Sequence, residues 1–124
     1  MKALVVDGSN TMRSVLHRLL SMRGFIVAEA DNFQQAIEVI HGMGTADLVL
    51  VDWVPDQRDG LEFVAHLRHE LIEDTRVVML VATEPGIREL NRALIAGADD
   101  YLIKPFTSLQ IDEKLAQVGL ARRL

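Results

Sequence analysis

"ALVVDGSNTMRSVLHRLL", residues 3–20, carries the pattern on which the reading of the whole chain turns. Ala3 to Val6 are apolar without a break, and a run that does not alternate with polar residues marks a strand covered on both faces. Asp7 ends the run and Gly8 opens a turn. From Asn10, read as a helix N-cap, Met12, Val15, Leu16, Leu19 and Leu20 recur with the spacing of one helical face. A buried strand therefore carries a lone carboxylate to its tip before the chain turns into an amphipathic helix.

The same unit repeats along the chain. Phe25–Ala28, Leu48–Val51, Val77–Val81 and Tyr101–Ile103 read as further strands, each short, apolar and bounded by Asp, Gly or Pro. Between them, Asn32 caps a stripe of Phe33, Ala36, Ile37 and Ile40, and a third helix runs from about Leu61 to Leu71. A fourth takes Pro85 in its first turn with Ile87, Leu90 and Leu94 inward, and a fifth follows Thr107 and Ser108 with Ile111, Leu115 and Val118 inward. Gly24, Gly42, Gly44 and Gly97 supply the stops. Strict alternation predicts an α/β, flavodoxin-like three-layer sandwich, a five-stranded parallel sheet in the order 2-1-3-4-5 with five helices.

At 124 residues the chain reads as one domain, residues 1–124, able to bury a core without staples. Apolar residues make up 49% and charged residues 25%, a globular balance that excludes disorder as the ground state. The absence of cysteine excludes disulfides, thiolate metal sites and a cysteine nucleophile together. The apolar start is too short for a signal peptide (about 7–15 residues) or a span (about 20), so no membrane role and a cytoplasmic location are expected. A net charge of −5 argues against nucleic acid as a partner of this domain, and Arg122–Arg123 is too short a basic run to reverse that.

Ligands of such sheets sit beyond the carboxyl ends of the strands, where the winding reverses between the first and third strand. Asp7 ends the first strand, and Asp52 ends the third in "LVLVDWVPDQRDG", residues 48–60. Lys104 ends the fifth in "YLIKPF", residues 101–106. Singly, each reads as turn or loop chemistry. Converging on one crevice, two carboxylates and an ammonium form a set suited to phosphoryl transfer: hard oxygens for Mg2+, a carboxylate nucleophile and a cation for the transferring oxygens.

At these residues the chain resembles the receiver domain of two-component response regulators, especially the small chemotaxis regulators. The resemblance is carried by "LVVDGSNTMR", "DWVPDQRDGLEF", "VVMLVATE", "AGADDYLIKPF" and "LQIDEKL". It implies that Asp52 is the phosphoacceptor, that Asp7 is an acid of an Mg2+ site, and that Lys104 contacts the phosphoryl group. It also implies a cis Lys104–Pro105 bond and a switch role for Tyr101, whose alternative reading is a core aromatic with its hydroxyl in water. The implied partners are a histidine kinase or phosphotransfer protein, and an unknown protein at the face formed by the fourth helix, fifth strand and fifth helix.

Two departures qualify the resemblance. Gly8 stands where receivers carry a second acid, so metal affinity should be low, with Val54 offering a backbone carbonyl and Asp56 or Glu84 as replacement charges. Ala82 stands where a Ser or Thr hydroxyl is usual, and the hydroxyl of neighbouring Thr83 should point away because side chains alternate along a strand. An alternative reading follows: a degenerate receiver that binds partners independently of phosphorylation. Two other classes fare worse. "GSNT" after the first strand suits a flavin phosphate, but aromatics are only 5% of the chain. No serine or histidine joins the crevice to make a hydrolase, and His66 and His69, one helical turn apart, read as a solvated face.

Overall fold

The apolar runs become strands β1 (Lys2–Val6), β2 (Ile26–Ala30), β3 (Ala46–Trp53), β4 (Thr75–Thr83) and β5 (Asp100–Lys104). They form one parallel sheet in the order β2-β1-β3-β4-β5, the predicted topology. Helices α1 (Asn10–Ser21), α2 (Phe33–Met43), α3 (Arg58–His69), α4 (Leu90–Ala96) and α5 (Ser108–Gln117) alternate with them. The computed structural model describes residues 1–54, 58–69, 75–83 and 90–120.

Alternation along each strand divides the core into two layers. Leu4, Val6, Val49, Val51, Leu80 and Ala82 pack with Ile40 of α2, Phe63 and Leu67 of α3 and Ala93 of α4. Ala3, Val5, Leu48, Leu50, Met79, Val81 and Leu102 pack with Leu16 and Leu20 of α1 and Ile111 and Leu115 of α5. Burying a Leu or Val side chain is worth roughly 1.5–3 kcal/mol, so these two layers supply the main drive to fold.

Several boundaries differ from expectation. Ser9, not Asn10, caps α1: its backbone is extended and its hydroxyl accepts from Met12 N at 3.2 Å. Serine and asparagine cap equally well, and Ser9 N is held by the Asp7 carboxylate, which starts the helix one residue earlier. Strand β2 runs from Ile26 to Ala30 rather than Phe25–Ala28, because register with β1, from Lys2–Ile26 to Val6–Ala30, sets its length. Helix α3 begins at Arg58, before the first apolar residue of its stripe. Gly42 lies inside α2, where an exposed glycine costs only about 1 kcal/mol, and Gly44, at φ 81°, ends the helix. Asn32 caps α2 and Thr107 caps α5 with a capping box to Gln110. Leu71, Pro85 and Ile87 lie outside the described residues. Among the described residues, no helix is long and apolar enough to cross a membrane.

Two charged anchors sit at the amino-terminal end of the sheet. Arg68 donates to the carbonyls of Gly97 (2.7 Å), Thr75 (3.0 Å) and Arg76 (3.3 Å) and pairs with Asp99, whose Oδ2 also accepts from Val78 N. Asp47 accepts from Lys2 N (2.8 Å) and Arg76 (3.1 Å). Burial pushes the Asp47 carboxyl up, but the Lys2 amide, the Arg76 guanidinium and the amino terminus outweigh it and hold it below the ordinary 3.8. A lowered folded value stabilises at higher pH: the contribution is complete above the ordinary value and fades as pH falls through the lowered one. Asp47→Asn should therefore cost up to about 1 kcal/mol at pH 7, and the gap to the parent should close in acid, as read from urea midpoints across pH.

Candidate functional site

The site forms because three strand ends share a face. Counting outward from the core, Asp7 follows Val5, Asp52 follows Leu50 and Lys104 follows Leu102, all residues of the layer packed on α1 and α5. Parallel pairing brings these tips side by side. Lys104 Nζ lies 2.7 Å from Asp52 Oδ1 and 3.7 Å from Asp7 Oδ2. The Lys104–Pro105 peptide is cis.

Asp7 is 3% exposed and Asp52 is half-buried. Asp7 Oδ1 accepts from Ser9 N at 2.8 Å, while Oδ2 is buried and has no hydrogen-bond donor. Arg13, one turn into α1, donates to the Asp7 carbonyl at 2.6 Å and reaches Glu29 of β2 at 3.3 Å, which braces the turn from below. A buried carboxylate oxygen without a hydrogen-bond donor is costly, and the Lys104 ammonium, 3.7 Å away, is the positive charge that faces it. Asp7 and Asp52 line one cleft with exposed Val54, and these are the residues that could hold Mg2+, an ion bound through one or two carboxylates and retained waters. Among the described residues, no three acidic or histidine side chains gather as a metal cage. Asp56 and Glu84 lie outside the described residues.

A cleft of about 750 Å³ opens beside these tips, with Gly8, Asp31, Asp59, Glu62 and His66 among its lining residues. Phe33 of α2 and Phe63 of α3 stack in its wall with ring centroids 4.9 Å apart. Neither the cleft nor the stack was legible in the chain, because both depend on how α2 lies against α3. Asp7 and Asp52 are the most buried of the acids that line it, and Gly8 adds no third charge; a Cβ there would meet only Asp31 O, at 3.8 Å.

Ala82 is fully buried and pairs in register with Trp53 and Ile103. Thr83 pairs with Lys104 and is exposed, and the strand has no slip of register that brings its hydroxyl to the position of Ala82. Tyr101 packs against the layer that holds Ala82, and Lys114 of α5 lies over its ring, 4.6 Å from the centroid. Position 114 sits on a polar helix face, and nothing in the local sequence marks it as a partner of Tyr101.

Parallel order 2-1-3-4-5, with paired acids and a lysine meeting at the winding reversal, defines the class: a doubly wound α/β domain with a charged site beyond the carboxyl ends of its strands. The profile of the response regulator receiver domain matches residues 3–116. A chemotaxis protein CheY homolog of Campylobacter jejuni is 35% identical over 119 residues, covering 95% of this chain and 92% of that protein. CheY1 of Helicobacter pylori is 34% identical, covering 95% and 96%. The crystal structure of a response regulator from Thermotoga maritima superposes with a TM-score of 0.81 at 28% identity, covering 94% of this chain and 95% of that one. The chain belongs to the response regulator receiver family and is of the CheY type.

Proposed function

We propose that Asp52 accepts a phosphoryl group from a histidine kinase or phosphotransfer protein in the cytoplasm, and that the face of α4, β5 and α5 passes the state to a protein partner. The observation that carries this reading is Lys104 Nζ, 2.7 Å from Asp52 Oδ1 and 3.7 Å from Asp7 Oδ2. Asp52 attacks phosphorus, a P–O bond forms as the P–N bond of phosphohistidine breaks, and the imidazole leaves. Lys104 moves no proton; its ammonium lies where oxygens of a group on Asp52 come within reach. Asp7, buried and held by Ser9 N and by its own carbonyl's bond to Arg13, keeps its second oxygen on the side of Lys104. Asp7, Asp52 and the Val54 carbonyl would hold Mg2+, which when bound would neutralise the carboxylates and incoming oxygens, and with Gly8 bringing no charge they would hold it weakly.

A second reading is favoured by a specific observation. Ala82 is fully buried and has no hydroxyl to follow the phosphoryl group, so the α4–β5–α5 face binds its partner with little regard to Asp52. One experiment separates the two. With Mg2+ and beryllofluoride, fluorine NMR should show an adduct that Asp52→Asn abolishes; absence of any adduct at high Mg2+ overturns the phosphoacceptor. If the adduct forms and the resonances of Tyr101 move with it, the uncoupled reading fails.

A further inference from the structure

Strand β5 is an edge strand, and its two faces belong to different layers. Tyr101 and Ile103 pack on the layer of α3 and α4, whereas Leu102 packs on the layer of α1 and α5. Lys114 belongs to α5 yet reaches round this edge. Its Nζ lies 2.8 Å from Asp100 Oδ1 and 4.6 Å from the centroid of the Tyr101 ring. Asp100 Oδ1 also accepts the backbone N–H of Tyr101, at 2.8 Å. One carboxylate oxygen therefore holds both the strand at Tyr101 and the cation over its ring. Lys114 and Asp100 side chains are only 26% and 19% exposed, which limits solvent competition for the pair.

We propose that Lys114, aimed by Asp100, is a positioning residue that clamps the Tyr101 ring between the α4 layer and its own ammonium. The orientation of the signalling face is then set from α5, not from the tip of β4. The idea rests on the reading of Tyr101 as part of that face. Its physical basis is twofold. An ammonium over a tyrosine face is attracted by the ring quadrupole, more strongly as water is withdrawn. Opposing it, the position that would draw the ring toward Asp52 is Ala82, whose methyl offers no polar handle. Among the described residues the ring thus has a charged partner on the α5 side, and the side chain at position 82 offers it none. Asp100 prevents the lysine stem from sampling other rotamers, whose freedom is the main cost of holding a long side chain in place.

The chain has a single tyrosine and a single tryptophan, so the Tyr101 ring resonances are unambiguous in NMR spectra. In the parent, without any phosphoryl mimic, the Lys114 ε-methylene protons should be displaced upfield by the ring current and show cross-relaxation to the ring. Lys114→Gln should shift the Tyr101 ring signals. Lys114→Arg should restore them, since a guanidinium also stacks on an aromatic face. Asp100→Asn should move the Lys114 methylene signal part of the way to its free-chain position. A Lys114 methylene already at the free-chain position in the parent overturns the clamp, as do Tyr101 signals unchanged in Lys114→Gln. Because these arms use no phosphoryl mimic, they stand or fall apart from phosphorylation at Asp52. Beryllofluoride then supplies the last arm: where the adduct forms, Tyr101 signals should stay in place in the parent, and their movement with the adduct also overturns the clamp.

Discussion

Gly8→Asp should tighten Mg2+ binding by about tenfold or more, equivalent to about 1.4 kcal/mol. The backbone accepts the change: Gly8 lies outside the positive-φ glycines, and a Cβ there has only Asp31 O nearby, at 3.8 Å. The new carboxylate would join Asp7 and Asp52 around one cleft, where Lys104 is the cation held between the two native acids. Three acids sharing one ammonium repel one another, so the variant should be less stable than the parent in low salt without Mg2+. Added Mg2+ should reverse that order, since an ion that binds only the folded chain stabilises it by mass action. Titration calorimetry gives the affinity, and thermal melts with and without Mg2+ give the reversal. Equal affinities in parent and variant would mean that a carboxylate at position 8 adds nothing to Mg2+ binding at this cleft.

Arg68→Ala should cost about 2–4 kcal/mol of folding stability, or roughly 30- to 700-fold in the folding equilibrium. A whole domain of this size is stable by only about 5–15 kcal/mol, so the loss is large. Arg68 supplies donors to three backbone carbonyls and a partner to Asp99, which in turn accepts from Val78 N. Removing the guanidinium leaves these acceptors at the seam of α3, α4, β4 and β5 without their donor. The arginine stem also packs where a side chain at position 97 would sit: a Cβ on Gly97, whose φ is 128°, would lie 2.3 Å from Arg68 Cγ. Arg68→Lys should recover only a minor part, because one ammonium cannot span the carbonyls that the planar fork reaches. Urea unfolding should show a lower midpoint at unchanged slope. A loss below about 0.5 kcal/mol would place Arg68 among ordinary surface ion pairs.

The candidate site was legible because its three side chains each end an unbroken apolar run. Such runs are strands buried on both faces, and the parity of Asp7, Asp52 and Lys104 relative to Val5, Leu50 and Leu102 follows from alternation alone. The ends of elements were less legible. Ser9 and Asn10 are equally good caps, and the hydrogen bond from Ser9 N to Asp7, a product of the folded turn, decided between them. Strand β2 took its length from its neighbour, and Gly42 stayed helical because intrinsic preference yields to packing of the face opposite. Arg68, Lys114 and the Phe33–Phe63 stack were not legible at all, since each joins residues whose proximity depends on the sideways placement of helices.

From its residues alone, this protein has determined strands, helices, their parallel order and the acids and lysine at the strand tips, because periodicity and strand parity are properties of local backbone geometry. The absence of a charge at Gly8 and of a hydroxyl at Ala82 is likewise a matter of composition. Only the tertiary structure decided the 2.7 Å approach of Lys104 to Asp52, the donorless oxygen of Asp7, the cleft between α2 and α3, and the reach of Lys114 over Tyr101. Those features depend on how layers pack across the sheet, where small displacements of whole elements choose which side chains meet.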